Sequence, residues 1–193
     1  MALPREYVGY FASELVQRVE KAGKIRLKDK TAAAEKVQQV IASDIAREDA
    51  LNQEVRQYLE QYNEQIRRDA ISYQEMYKLV KKELLKKHKM VSSGRPDPEG
   101  ARMSRDKVID MSHQLLKGLA EAKAAVELLD EPNEVRLEIV RQMQSLLREE
   151  NHMDQAVRQK IRSQKREITE GSEEWDILYK KYYAEEMRKL GVA

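Results

Sequence analysis

The sequence contains no cysteine, which excludes disulfides and thiolate chemistry. It has only seven glycines in 193 residues, and none of the patterns G-x-x-x-x-G-K, G-x-G-x-x-G or G-x-S-x-G occurs. A phosphate-cradling loop or a nucleophile elbow therefore has no material to be built from. Only four prolines interrupt the chain. No apolar run approaches the ~18 residues of a membrane span. The opening Met1-Ala2-Leu3-Pro4-Arg5-Glu6 lacks the apolar stretch of a secretory signal. Together these absences lead us to expect a cytoplasmic protein.

What is present suits long helices. Charged residues make up 36% and hydrophobic residues 41% of the chain, with a mean hydropathy of −0.78. That apolar share is enough to fill a core and argues against global disorder. The net charge is only +2, too small to imply a polyanion partner. The charge is unevenly spread, however. Residues 1–95 carry 19 Lys/Arg against 14 Asp/Glu, whereas 96–193 carry 17 against 20, which directs attention to a local basic patch.

An internal repeat is visible at an offset near 100. Arg5, Val8 and Leu15 match Arg105, Val108 and Leu115, and Leu27 and Asp29 match Leu128 and Asp130. Farther on the offset settles at 102, with Gln53-Glu54-Val55-Arg56-Gln57 on Gln155-Ala156-Val157-Arg158-Gln159. Ser43, Glu48, Ile66, Tyr77, Lys78, Glu83 and Lys87 recur unchanged. Between the copies, Ser92-Ser93-Gly94-Arg95-Pro96-Asp97-Pro98-Glu99-Gly100 is breaker chemistry and reads as a linker. The expected organisation is a first helical repeat over 1–91, a linker over 92–101 and a second repeat over 102–193.

The fold class read from these patterns is all-α, with about four helices in each repeat. Val8, Phe11, Ala12, Leu15, Val16 and Val19 form one stripe, stopped near Gly23. Ser104 caps its counterpart, which carries Val108, Met111, Leu115 and Leu119. A second helix runs from about Lys30 to Asp49, and its partner starts near Pro132. A third follows a weak break at Asp49 or Asn151, although the two could run on as one. The last helix begins after Ser72, with Glu75 completing a capping-box pattern, and after Gly171-Ser172 in the second copy. Ile25-Arg26-Leu27 and Val126-Glu127-Leu128 alternate apolar and charged residues. They read either as short strands paired across a pseudo-twofold axis or as a buried loop anchoring two apolar side chains.

The run Gly171-Ser172-Glu173-Glu174-Trp175-Asp176-Ile177-Leu178-Tyr179-Lys180-Lys181-Tyr182-Tyr183, the segment Asp154…Val157-Arg158 and a Leu115-Leu116 helix core resemble a bacterial family known as domain of unknown function 507. Two tandem copies are expected, the C-terminal one being the clearer match. The first keeps Val55-Arg56 and Tyr77-Lys78 but has Tyr73 in place of Trp175. The resemblance implies a bacterial cytosolic protein and supplies no activity or site.

Candidate chemistry is sparse. The paired acids Glu149-Glu150, Glu173-Glu174 and Glu185-Glu186 are helix neighbours about 100° apart, so they do not converge as an acid–base pair would and read as solvated surface. His88, His113 and His152 lack ligand spacing for a metal. No catalytic residue, cofactor or metal is expected. The basic segment Lys78, Lys81, Lys82, Lys86, Lys87, Lys89 and Arg95 is a candidate nucleic-acid contact. Tyr73, Tyr77, Trp175, Tyr179 and Tyr182 follow the inward stripe and read as core. Tyr183, beside Tyr182, must point elsewhere and is the candidate partner-facing residue. The sequence thus suggests a non-enzymatic helical interaction or scaffold protein that binds another protein or itself. The alternative is an RNA-, DNA- or ribosome-associated protein using Lys78–Arg95.

Overall fold

The computed structural model describes residues 3–62, 72–93, 103–164, 166 and 168–191. Helix α1 (Arg5–Lys21) leads through β1 (Ile25–Leu27) into α2 (Lys30–Gln61), followed by α3 (Tyr73–Lys87). The second half repeats this order as α4 (Arg105–Glu121), β2 (Val126–Leu128), α5 (Pro132–Arg162) and α6 (Glu173–Lys189). The protein is thus mostly helical with one small sheet, as the patterning led us to expect.

The described residues of each half hold three helices where four were expected. Neither Lys30–Gln61 nor Asn133–Arg162 contains a glycine or a second proline, so nothing in the backbone forces a stop at Asp49 or Asn151. At 32 residues, α2 is about 48 Å long. Its start is fixed by Asp29, whose side chain accepts from the Ala32 amide at 3.0 Å. Ser104 and Ser172 cap α4 and α6 in the same way, each at 3.2 Å. Ser72 makes no such bond, so the capping box read at Ser72 and Glu75 does not form. Gly23 ends α1 at φ +72°, a left-handed turn that glycine adopts without strain.

The core explains the arrangement. Helices α1 and α4 each bury a wide face, and each packs on both α2 and α5. The result is a four-helix ring in the order α1, α2, α4, α5. Phe11, Leu15, Val37, Met111, Leu115, Ile139 and Met143 fill it from both halves of the chain. Strands β1 and β2 pair antiparallel, with Ile25 opposite Leu128, Arg26 opposite Glu127 and Leu27 opposite Val126. The paired-strand reading of these segments is therefore the one observed, and the two halves pack directly on each other.

Beyond the ring, the C-terminal portions of α2 and α5 continue as arms, and each carries one more helix. On α5, the side chains of Trp175, Tyr183 and Met187 from α6 join the main core. On α2, Val55 and Leu59 form a separate cluster with the half-buried Met76, Tyr77, Val80 and Leu84 of α3. No residue of α3 is fully buried.

Candidate functional site

Hydrogen bonds at the ring seams fall at matched positions. Tyr7 of α1 donates its hydroxyl to the Leu146 carbonyl of α5 at 3.1 Å. On the opposite seam, Lys107 of α4 donates to Asp44 of α2 at 2.7 Å and to the Val91 carbonyl at 2.9 Å. Lys107 stands 100 residues beyond Tyr7, and Leu146 stands 102 beyond Asp44. In the arms, Tyr77 donates to Asn52 at 3.1 Å, and Tyr179 donates to Asp154, again 102 residues on in both members.

The Lys107–Asp44 pair carried no functional reading in the sequence. Both side chains are almost wholly buried, at 1% and 5% exposure. The signal for it in the sequence is the register. Lys107, Met111 and Leu115 lie four apart, as Tyr7, Phe11 and Leu15 do, so the lysine occupies a core position. Desolvating an ammonium is tolerated because a carboxylate and a carbonyl receive it.

The basic segment is divided by the fold. Lys81 turns inward to Glu48 at 3.6 Å and does not belong to an outer surface. Burial alone would raise the Glu48 pKa, but the Ser93 hydroxyl and the Lys81 and Lys107 charges outweigh it and hold that pKa below the usual range. Lys78, Lys82, Lys86, Lys87 and Lys89 are exposed. Of these, Lys78, Lys82 and Lys86 lie four apart along one outer row of α3, where Lys86 pairs with Glu83 at 2.8 Å. Lys89 adopts φ +50° where the chain leaves α3. Arg95 lies outside the described residues. His88, set among these lysines, faces Glu54 at 2.8 Å.

The aromatic residues correct the sequence reading more sharply. Tyr183 is only 4% exposed, stacks on Tyr179 and donates to the buried Glu150 at 3.2 Å. It is a core residue rather than a partner-facing one, because α6 turns the Tyr179–Tyr183 side of the helix toward Asp154 and Glu150 of α5. Tyr182 takes the outer place, with the Lys160 ammonium 4.1 Å from its ring centre. Glu150 corrects the surface reading of the Glu149-Glu150 pair, since it is fully buried. Glu149 holds Arg18 of α1 with two bonds of 2.6 and 2.8 Å, which keep its carboxyl below the usual range.

Tyr73, expected in the core, is 49% exposed, and two further aromatics are uncovered, Tyr58 at 46% and Tyr62 at 41%. The Tyr58 and Tyr62 rings pack with centres 5.1 Å apart, and Tyr73 pairs with Tyr77 at 6.5 Å. All sit on the α2–α3 arm, which also exposes Leu79 at 58%. Among the described residues, no group of three or more His, Asp or Glu side chains is placed to hold a metal ion.

A family model described as protein of unknown function DUF507 matches residues 1–192. The chain belongs to the DUF507 family. The match runs over the chain as a single unit and does not divide it into two family domains. The DUF507 description assigns no activity. A search of curated proteins finds no match to this chain. No described helix of this DUF507 protein is long and apolar enough to cross a membrane.

Proposed function

We propose that this DUF507 protein is a non-enzymatic helical interaction protein, and that the α2–α3 arm is the surface it presents to a protein partner or to a second copy of itself. The supporting observation is the aromatic set Tyr58, Tyr62 and Tyr73, each more than 40% exposed, on an arm with only a small core of its own. Tyrosine is enriched in protein interfaces because it combines a large apolar face with a polar tip and few rotors. At the matched positions of the other arm stand Lys160, Gln164 and the buried Trp175, so the exposed aromatic surface is particular to α2–α3. The test is a tagged pull-down together with size-exclusion chromatography over a concentration series. The wild type should retain a partner or self-associate. A Tyr58→Ser, Tyr62→Ser, Tyr73→Ser variant should lose this while keeping its helicity. A strictly monomeric wild type with no retained partner contradicts the reading.

A second reading is supported by the exposed row Lys78, Lys82 and Lys86 on α3. Such a row suits the backbone of RNA or DNA. Three phosphate contacts would give a slope of log K on log salt near about −2.7 on duplex DNA. Replacing the three lysines with glutamate should abolish binding, and unchanged binding removes the idea. We further propose that the halves descend from a duplicated unit, supported by their matched hydrogen bonds. A cytoplasmic location is supported by the cysteine-free, charge-rich composition.

A further inference from the structure

Two seams join the halves, α1 on α5 and α2 on α4, and they carry different charges. In the α1–α5 seam, Arg18 holds Glu14 of its own helix at 3.1 Å and Glu149 of α5 at 2.6 Å. The Ser145 hydroxyl donates to the same Glu149 carboxylate at 3.1 Å. This seam therefore contains an anion of its own, held by a guanidinium and a hydroxyl.

The α2–α4 seam keeps the frame without that anion. By the offsets of the repeat, Gly118 stands in the place of Arg18, Gln114 in that of Glu14, Ser43 in that of Ser145 and Arg47 in that of Glu149. Both carboxylates are gone, and the hydroxyl remains. At Gly118 the helices approach closely, since a Cβ there would lie 3.1 Å from Val40 Cγ2 and 3.4 Å from Lys36 Cε. Beside this contact the seam opens into a groove of about 410 Å³. Lys36, Gln39 and Ser43 of α2 and Gln114, Lys117 and Glu121 of α4 line it, all within the two helices rather than in a connection or at a chain end. Glu121 is the one carboxylate on these walls, and Lys36 faces it at 3.6 Å. Gln114 donates to Asp110 at 2.9 Å, and Lys107 also faces Asp110, at 4.0 Å. Lys117, Ser43 and Gln39 are exposed and have no side-chain partner among the described residues.

We propose that this groove is a binding site for a small anionic ligand, whose carboxylate or phosphate group accepts from Lys117, Ser43 and Gln39. The α1–α5 seam supplies the precedent, because there a carboxylate is held at the matched place by the matched serine and a cation. In the α2–α4 seam the groove offers donors, an ammonium and the neighbouring Arg47, one turn beyond Ser43, while its own acid is already paired with Lys36. Hydrogen bonds from an ammonium to an oxyanion are stronger than those between neutral groups, so the site selects an anion over an uncharged ligand of the same size. This site lies on the ring and is separate from the aromatic arm.

The test is a proton–nitrogen NMR titration of the full chain with sodium phosphate and, separately, sodium citrate, with sodium chloride adjusted to keep the ionic strength constant. The amides of Gln39, Ser43, Gln114 and Lys117 should shift saturably with a Kd of about 1 mM or tighter for at least one of the two. The tighter of the two names the acid group the site prefers. Lys117→Glu, at an exposed position, should weaken binding at least about tenfold without loss of helicity, and Ser43→Ala should weaken it less. Lys82→Glu, on the exposed row of α3, should leave it unchanged, as should the Tyr58, Tyr62, Tyr73 variant, so failure of the arm reading and failure of this one are told apart. The proposal is overturned if neither anion gives saturable shifts up to about 10 mM, or if sodium chloride alone produces the same shifts. It also falls if Lys117→Glu binds as the wild type does, or if Lys82→Glu weakens binding as much as Lys117→Glu.

Discussion

Lys107 and Asp44 form one of the few interactions here whose removal should be felt throughout the molecule. Lys107→Met leaves a carboxylate buried without its cation, and breaking one side of such a pair costs about 3–5 kcal/mol. Converting both residues to apolar ones should restore most of that loss, and urea titration of the single and double variants measures the difference. The carboxylates Glu48 and Glu149 provide a pH test. Both are held below the ordinary glutamate range in the folded protein, so at acidic pH the unfolded chain binds more protons. Their contribution is complete above a pH of about 4.3 and is lost as the pH falls through the depressed folded values. Glu149→Gln should flatten that acid limb, as read from denaturation midpoints between roughly pH 5 and 2. The sequence could not reveal these partners, because Arg18 and Glu149 are 131 positions apart and meet only once α1 lies on α5. Tyr183 was misread for a related reason. Helical phase places Tyr182 and Tyr183 on different sides but does not say which side faces the neighbour, and two faces of α6 were apolar enough to be the inner one.

At the level of elements, the apolar periodicity located all six described helices, and alternation marked the two short segments but left paired strands and a buried loop both open. It failed at the joins. Polar residues such as Asp49 and Asn151 are good caps, yet without glycine or proline a helix that gains packing on both sides runs straight through them. The matched pair Tyr73 and Trp175 shows what periodicity leaves out. Both sit near the start of an arm helix, but Trp175 is buried at 4% and Tyr73 is not. Trp175→Ala should cost about 3–5 kcal/mol, whereas Tyr73→Ala should stay within about 0.5 kcal/mol. For the same reason the amide hydrogens of α3, which buries no residue fully, should exchange with solvent well before those of α6 in a native-state hydrogen-exchange experiment.

At the scale of the whole molecule, the repeat in the sequence suggested two units joined by a linker, but the core is common to both halves. Helix α1 leans on α5, α4 leans on α2, and the sheet takes one strand from each half. A fragment ending at Ser93 would expose the α1 face that packs on α5 and leave β1 without its partner. It should therefore show little cooperative unfolding by circular dichroism, while the full chain melts with a main transition shared by both halves. What the halves do not share is their outward chemistry. One arm exposes tyrosines and a lysine row, and the other buries Trp175 and Tyr183. That difference was only partly legible, because the basic segment and the Tyr-Tyr pair stood out in the sequence while exposure depends on how deeply each arm helix docks. Site-specific photo-crosslinking tests the interaction reading most directly. A photoreactive phenylalanine derivative at Tyr58 or Tyr62 should give a discrete crosslinked species with a partner or a second copy, and one at Leu137, which is exposed to a similar degree on the ring, should not. Absence of crosslinks from the arm, or the same products from Leu137, would contradict it.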